Sequence, residues 1–222
     1  MRINQWMKSA IGVTVLLVSS LASATLIVTP GVDNTGTDNV LHNACNLQTG
    51  PALTVQGCLN SDHSFLVNFT SNEDLLINGG QAKIVAQDGA FNYLNIFLDA
   101  PGWTFNKLLL NIDSDDNGFV TFTGSPGGVS SPFALAKNGD NKFILTGEDF
   151  QSISFLTTIP VNNVQLVSNV KQVRIGGIKA PGDPEDPEDP PTPSDVPVPA
   201  TPLLFGLGLL GLGWSRKNRT RA

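Results

Sequence analysis

Three groups of residues combine side-chain type and spacing in ways that permit chemistry. The first is Asp113-Ser114-Asp115-Asp116-Asn117-Gly118, with oxygen donors at its first, third and fifth positions and glycine at its sixth. Carboxylates at that spacing turn inward on a tight loop and replace water around a hard cation, so Asp113, Asp115 and Asn117 are candidate calcium ligands. The twelfth position is Gly124, where such a loop carries a bidentate glutamate, and apolar strand-like runs flank the segment where helices would be expected. Asn117-Gly118 between FNKLLLNI and FVTFT also reads as a hairpin turn, and the hairpin is the simpler expectation. Calcium, if bound here, would stiffen a turn of a surface domain; otherwise no cofactor is expected.

The second group is Cys45 and Cys58 with His42 and His63 nearby. Two cysteines flanking a Thr49-Gly50-Pro51 turn signal read as a disulfide in an exported chain. A Cys2His2 zinc set can be written from the same four residues, but its spacing matches no familiar finger. The third is Trp103, which follows Ala100-Pro101-Gly102 at a loop edge. A Trp there either stacks on a sugar ring or covers the end of a strand. Tyr93 sits inside a strand and is a weaker candidate. The chain has no G-x-S-x-G elbow, no H-E-x-x-H and no phosphate-binding glycine loop, so a non-enzymatic protein is expected. Paired glycosidase carboxylates leave little local trace, which keeps a polysaccharide hydrolase as a distant alternative.

The elements that position these groups are short apolar runs separated by Asn, Asp, Gly and Pro. They include Ser64–Thr70, Leu75–Ile77, Ala82–Ala86, Phe91–Leu98, Phe105–Ile112, Phe119–Thr123, Phe133–Ala136, Phe143–Thr146, Ser152–Thr158, Val164–Val167 and Val170–Ile175. Runs of this length, rich in β-branched and aromatic residues, are strands. Val173 and Ile175 should face inward, with Gln172 and Arg174 outward. The expected fold is all-β, an antiparallel sandwich of jelly-roll type spanning 25–180. Eleven of the twelve phenylalanines fall in this region and read as core.

The ends of the chain carry different signals. Residues 1–24 combine Arg2 and Lys8, the apolar stretch Ala10–Val18 and a small-x-small Ala22-Ser23-Ala24 site, the pattern of a cleaved secretory leader. Residues 181–195 contain six acids, no base and many prolines, which makes a stiff, solvated spacer. After it, 196–222 begins Val196-Pro197-Val198-Pro199-Ala200-Thr201-Pro202 and continues as LLFGLGLLGLGW. It ends with the basic residues Arg216, Lys217, Arg219 and Arg221. A helix over about 202–214, extended by the residues before it, reaches a membrane's hydrocarbon thickness, and the cations hold its end in the cytoplasm.

This ending resembles the PEP-CTERM sorting signal of Gram-negative bacteria: Pro197, Pro199, Ala200 and Thr201, then the Gly206–Gly213 stretch, then the arginines. The motif's usual glutamate is replaced here by Val198. The resemblance implies an exosortase-like processing enzyme as partner, a transient anchor in the inner membrane, and delivery to the periplasm, outer surface or matrix. It also implies association with exopolysaccharide. The central region carries thirteen acids against seven bases, so it repels phosphate backbones and nucleic acid is not an expected partner. The expected function is that of a surface or matrix protein; the alternative is a glycan- or surface-binding, adhesin-like module.

Overall fold

Alternation at period two carries most of the architecture. In Tyr93–Leu98, for example, Leu94, Ile96 and Leu98 are buried while Tyr93, Asn95 and Phe97 are half-exposed. The computed structural model describes residues 25–45, 47–159 and 166–182. The expected leader over 1–24, nearly all of the spacer, and the 196–222 tail with its 202–214 helix lie outside the described residues. The chain divides into two units after Pro181, and every described strand lies in the first.

The described residues form β-strands and no helix. In chain order the strands are β1 (Ile27–Pro30), β2 (Thr37–Leu41), β3 (Ala52–Leu59), β4 (Leu66–Asn78), β5 (Lys83–Ala86), β6 (Tyr93–Leu98) and β7 (Phe105–Ser114). They continue as β8 (Gly118–Ser125), β9 (Gly128–Val129), β10 (Phe133–Leu135), β11 (Asn141–Phe150), β12 (Ser152–Thr158) and β13 (Val167–Gly176). All strand pairs are antiparallel, in the order β1-β11-β7-β13-β2-β3-β4-β6-β12-β8-β10. β5 bridges β4 and β13, and β9 adds to β8. The all-β, antiparallel expectation holds.

The sheet curls around one core. Phe122 on β8 meets Phe143 on β11 edge to face, with ring centroids 5.0 Å apart. Even by the shortest route through β5, those strands are seven steps apart in the pairing order. A flat sheet would separate them by roughly 34 Å at about 4.8 Å per step. Phe133 and Phe155 complete the cluster at 6.4 and 6.2 Å from Phe122. Val173 and Ile175 are buried, with Gln172 exposed and Arg174 half-buried, as alternation requires.

Three local expectations change. Ser64–Thr70 and Leu75–Ile77 are one strand, β4, because its polar middle is held instead of turned: Ser71 Oγ donates to the Tyr93 carbonyl at 2.7 Å. The strand also exchanges partners there, pairing β6 through Thr70 and β5 from Leu75. At the C-terminal end, Val170–Ile175 is continuous with Val167 in β13, while Val164 lies outside the described residues. Most consequentially, Asn117-Gly118 does not close a hairpin. Both edges of β7 are taken, by β11 and β13, and β8 pairs with β12, β10 and β9. The segment is therefore a crossover between separate parts of the sheet.

Gly118 has a packing role in that crossover. A Cβ there would meet Leu166 Cδ2 at 2.5 Å and the Thr158 carbonyl at 2.8 Å. Gly118→Ala should therefore overpack the junction of β8 with β12 and lower stability by about 1–3 kcal/mol, read as a fall in the denaturation midpoint without a change in slope. An unchanged midpoint would mean that the glycine serves only the turn.

Candidate functional site

The acidic segment does not gather its oxygens. Asp113, near the end of β7, accepts a hydrogen bond from Lys171 Nζ on β13 at 2.6 Å. Asn117 Oδ1 accepts from the Lys137 backbone N–H at 2.9 Å, and Asp116 Oδ1 from the Asn117 N–H at 2.8 Å. Asp115 is exposed, and its backbone N–H donates to the Leu166 carbonyl at 2.9 Å. Two of the three candidate calcium ligands thus point to donors on different elements. Among the described residues no group of three or more His, Cys, Asp or Glu is placed to hold a metal ion.

Cys45 and Cys58 are joined as a disulfide, with Cα atoms 6.3 Å apart. The bond ties the chain leaving β2 to β3 and removes both sulfurs from any zinc set. His63 is exposed, whereas His42 is half-buried.

Trp103 lies at the mouth of a cleft of about 270 Å³ with Phe65, Pro101, Ser64 and Asp99. Its ring meets Phe65 edge to face at 4.9 Å, which fixes its orientation while leaving it half-buried. Trp103 packs against the core and also lines an opening. Asp99 accepts from Asn68 Nδ2 at 2.8 Å, and Asn68 Oδ1 accepts from Gln56 Nε2 at 3.0 Å. This chain of bonds leads from the cleft onto the outer surface of the sheet.

Two rows of that surface carry no charged side chain; Asp99 borders them, and Glu73 and Asp74 lie further along β4. The register of β3, β4, β6, β12 and β8 sets Thr54, Thr70, Asn95, Ser154 and Thr123 in one row across the strands. A second row is Gln56, Asn68, Phe97, Ser152 and Ser125, of which Asn68 is itself buried. Five strands at about 4.8 Å spacing make a platform roughly 19 Å wide of hydroxyls, amides and a phenyl ring. Thr54 and Thr70 share a hydrogen bond of 2.8 Å, which holds their hydroxyls in place. Period-two alternation identifies the outward residues of each strand, but only cross-strand register assembles them into rows.

The outer surface of β1, β11, β7, β13 and β2 is different. It carries Lys107, Lys142, Lys171 and Arg174, and the three lysines pair with Asp33, Asp140 and Asp113 at 2.6, 2.7 and 2.6 Å. The Lys107 ammonium and the Thr35 N–H together lower the Asp33 pKa to about 2. Lys142, then Asn111, lowers that of Asp140. A separate cleft of about 350 Å³ is lined by Glu73, Asp74, Gln87 and Asp88.

Residues 195–217 match the family model of the PEP-CTERM protein-sorting motif. The match spans Val198, so the missing glutamate does not abolish the pattern. The motif implies that the chain is exported, anchored in the membrane, and sorted to the surface or exterior of a Gram-negative cell by an exosortase-like system. No curated protein and no solved structure matches the chain.

The Asp33–Lys107 pair tethers the loop between β1 and β2, and Lys107 also donates to the Thr35 carbonyl at 2.9 Å. Because the folded chain favours ionised Asp33, the tether is complete above the ordinary value of 3.8 and is lost as pH falls through about 2. Carbon-detected NMR titration should give Asp33 a midpoint near 2, and Asp33→Asn should loosen Thr35 amide protection at neutral pH. A midpoint at the ordinary aspartate value would remove the tether from the solution structure.

Proposed function

We propose that this chain is a non-enzymatic surface or matrix protein whose β domain, a two-layered sandwich, associates with neutral exopolysaccharide. Contact is made through the outer surface of β3, β4, β6, β12 and β8 and the adjoining Trp103 cleft. The observation that carries this reading is the uncharged platform itself, in a domain whose acids outnumber its bases thirteen to seven. A neutral glycan offers hydroxyls to such a surface and incurs no charge-desolvation cost on contact. Phe97 and Trp103 supply apolar faces on which a sugar ring can stack. The sorting motif supports an extracellular setting, and the Cys45–Cys58 bond suits an oxidising one.

A polysaccharide hydrolase is the second reading, favoured by the cleft that Glu73, Asp74 and Asp88 line. Paired carboxylates are the usual machinery of glycoside cleavage. The two readings differ in whether bound glycan is consumed.

Full-length protein in detergent should be retained by insoluble neutral glucan, and Trp103→Ala should weaken retention by about fivefold to tenfold. Failure to bind any neutral glucan would overturn the first reading, and release of reducing ends, lost in Glu73→Gln or Asp74→Asn, would install the second. Mass spectrometry of protein from its native envelope should find a mature C-terminus near Pro199–Thr201. Recovery of an intact Arg221-Ala222 end would reduce the tail to a simple anchor.

A further inference from the structure

Arg174 stands on the outer surface opposite in character to the neutral platform. Its position results from a bulge in β13: Lys171 pairs with Asn111 and Arg174 with Leu109, so Gln172 and Val173 together face a single residue of β7. Gln172 takes up the excess in the left-handed region, at φ 56°. Such backbone is uncommon for a residue other than glycine, and bulges re-aim the side chains that follow them. Here the re-aimed side chain is a guanidinium reaching across β2. Its Nε donates to Thr37 Oγ1 at 3.0 Å, Nη1 to Asn39 Oδ1 at 2.6 Å, and Nη2 to the Thr37 carbonyl at 3.1 Å.

All three acceptors are neutral. The neighbouring Lys107, Lys142 and Lys171 each have an aspartate partner, whereas Arg174 has no carboxylate partner among the described residues. It is half-buried and held rigidly, and two of its five N–H groups remain unused. Partly desolvated cations are normally compensated by an anion, and a pinned guanidinium with spare donors is pre-organised for a carboxylate. Above it opens a cleft of about 310 Å³, lined also by Gln172, Lys142, Gln81 and Asn34. Gln81 Nε2 donates to the same Asn39 oxygen at 3.0 Å, so that oxygen is already occupied by two protein donors.

We infer that the cleft over Arg174 binds the carboxylate of a single hexuronate residue in an acidic glycan. The volume lies at the small end of ligand cavities, which fits one ring in preference to a long segment. Arg174 supplies the positive charge, while the amides of Gln172, Gln81 and Asn34 offer partners for ring hydroxyls. The domain's overall negative charge disfavours densely charged polymers, so the fit is to glycans with isolated acidic sugars. This site is separate from the neutral platform and stands whether or not that platform binds glycan.

The test is an NMR titration of the isotope-labelled full chain, in detergent, with sodium glucuronate, glucose and sodium acetate. Glucuronate should shift the Arg174 Nε–H and the Gln172 and Lys142 amides with a dissociation constant in roughly the millimolar range. Glucose should not shift them, and acetate should do so at least about tenfold more weakly, because it lacks the ring. Gln172→Glu keeps the side chain's size and adds a like charge, so it should weaken glucuronate about tenfold or more while leaving the spectrum of the fold intact. Arg174→Gln should abolish the response. No glucuronate response at these residues, equal binding of acetate, or an unchanged affinity in Gln172→Glu would each overturn the assignment. Retention on neutral glucan reports on the other surface and is unaffected by any of these results.

Discussion

The contact between Phe122 and Phe143 is the constraint on which the remaining geometry depends. It joins strands from distant parts of one long pairing order, and it can exist only if the sheet curls and turns its apolar side inward. Burial of apolar surface on that scale drives the closure, and aromatic pairs add edge-to-face preference to it. The polar residues admitted to the interior are uncharged. Asn141, for instance, donates to the carbonyls of Ile112 and Ala136 at 2.9 and 3.0 Å and accepts from the Ala136 N–H at 2.9 Å. Its amide replaces ladder bonds where β10 gives way to β11, which is why a polar side chain is tolerated there.

Once the interior is filled, function is left to the outer surfaces, and the two differ in electrostatic character. Three lysines around β7 are answered by aspartates, two of them from β7 and the start of β11's approach and one from the β1–β2 loop. Exposed pairs of this kind contribute little stability and are screened by salt, so their main effect is to set the local field and tether loops. A different arrangement holds on β3, β4, β6, β12 and β8, where the rows through Thr70 and Asn68 contain no charged side chain and Glu73 and Asp74 lie beyond them on β4. A surface of that kind selects its contacts by shape and hydroxyl pairing instead of by long-range attraction.

The disulfide and the sorting motif belong to the same physical setting. Closing the short loop between Cys45 and Cys58 contributes about 3 kcal/mol in the chain-entropy view, and persists only where thiols are not kept reduced. The match over 195–217 implies such a destination, since sorting by an exosortase-like system follows export. Val198 lies inside that match, as do the proline pair, the glycine-leucine stretch and the first two basic residues, Arg216 and Lys217.

Local chemistry in the sequence was enough for several features. Period-two alternation located nearly all the strands from β4 onward and the inward side of Val173 and Ile175. Cysteine count and spacing identified the Cys45–Cys58 bond, and composition alone marked the tail. Each of these depends on neighbours in the chain or on bulk partitioning, which is why it was legible. Tertiary structure decided the rest. Asn117-Gly118 has the chemistry of a hairpin, yet β7 and β8 are not partners, because the edges of β7 were already claimed by β11 and β13. Gly118 reads as a turn residue and is required by Leu166 and Thr158. The neutral rows and the bulge that aims Arg174 arise from cross-strand register. Register is set by which apolar faces must meet across the core, a non-local condition that no turn signal encodes.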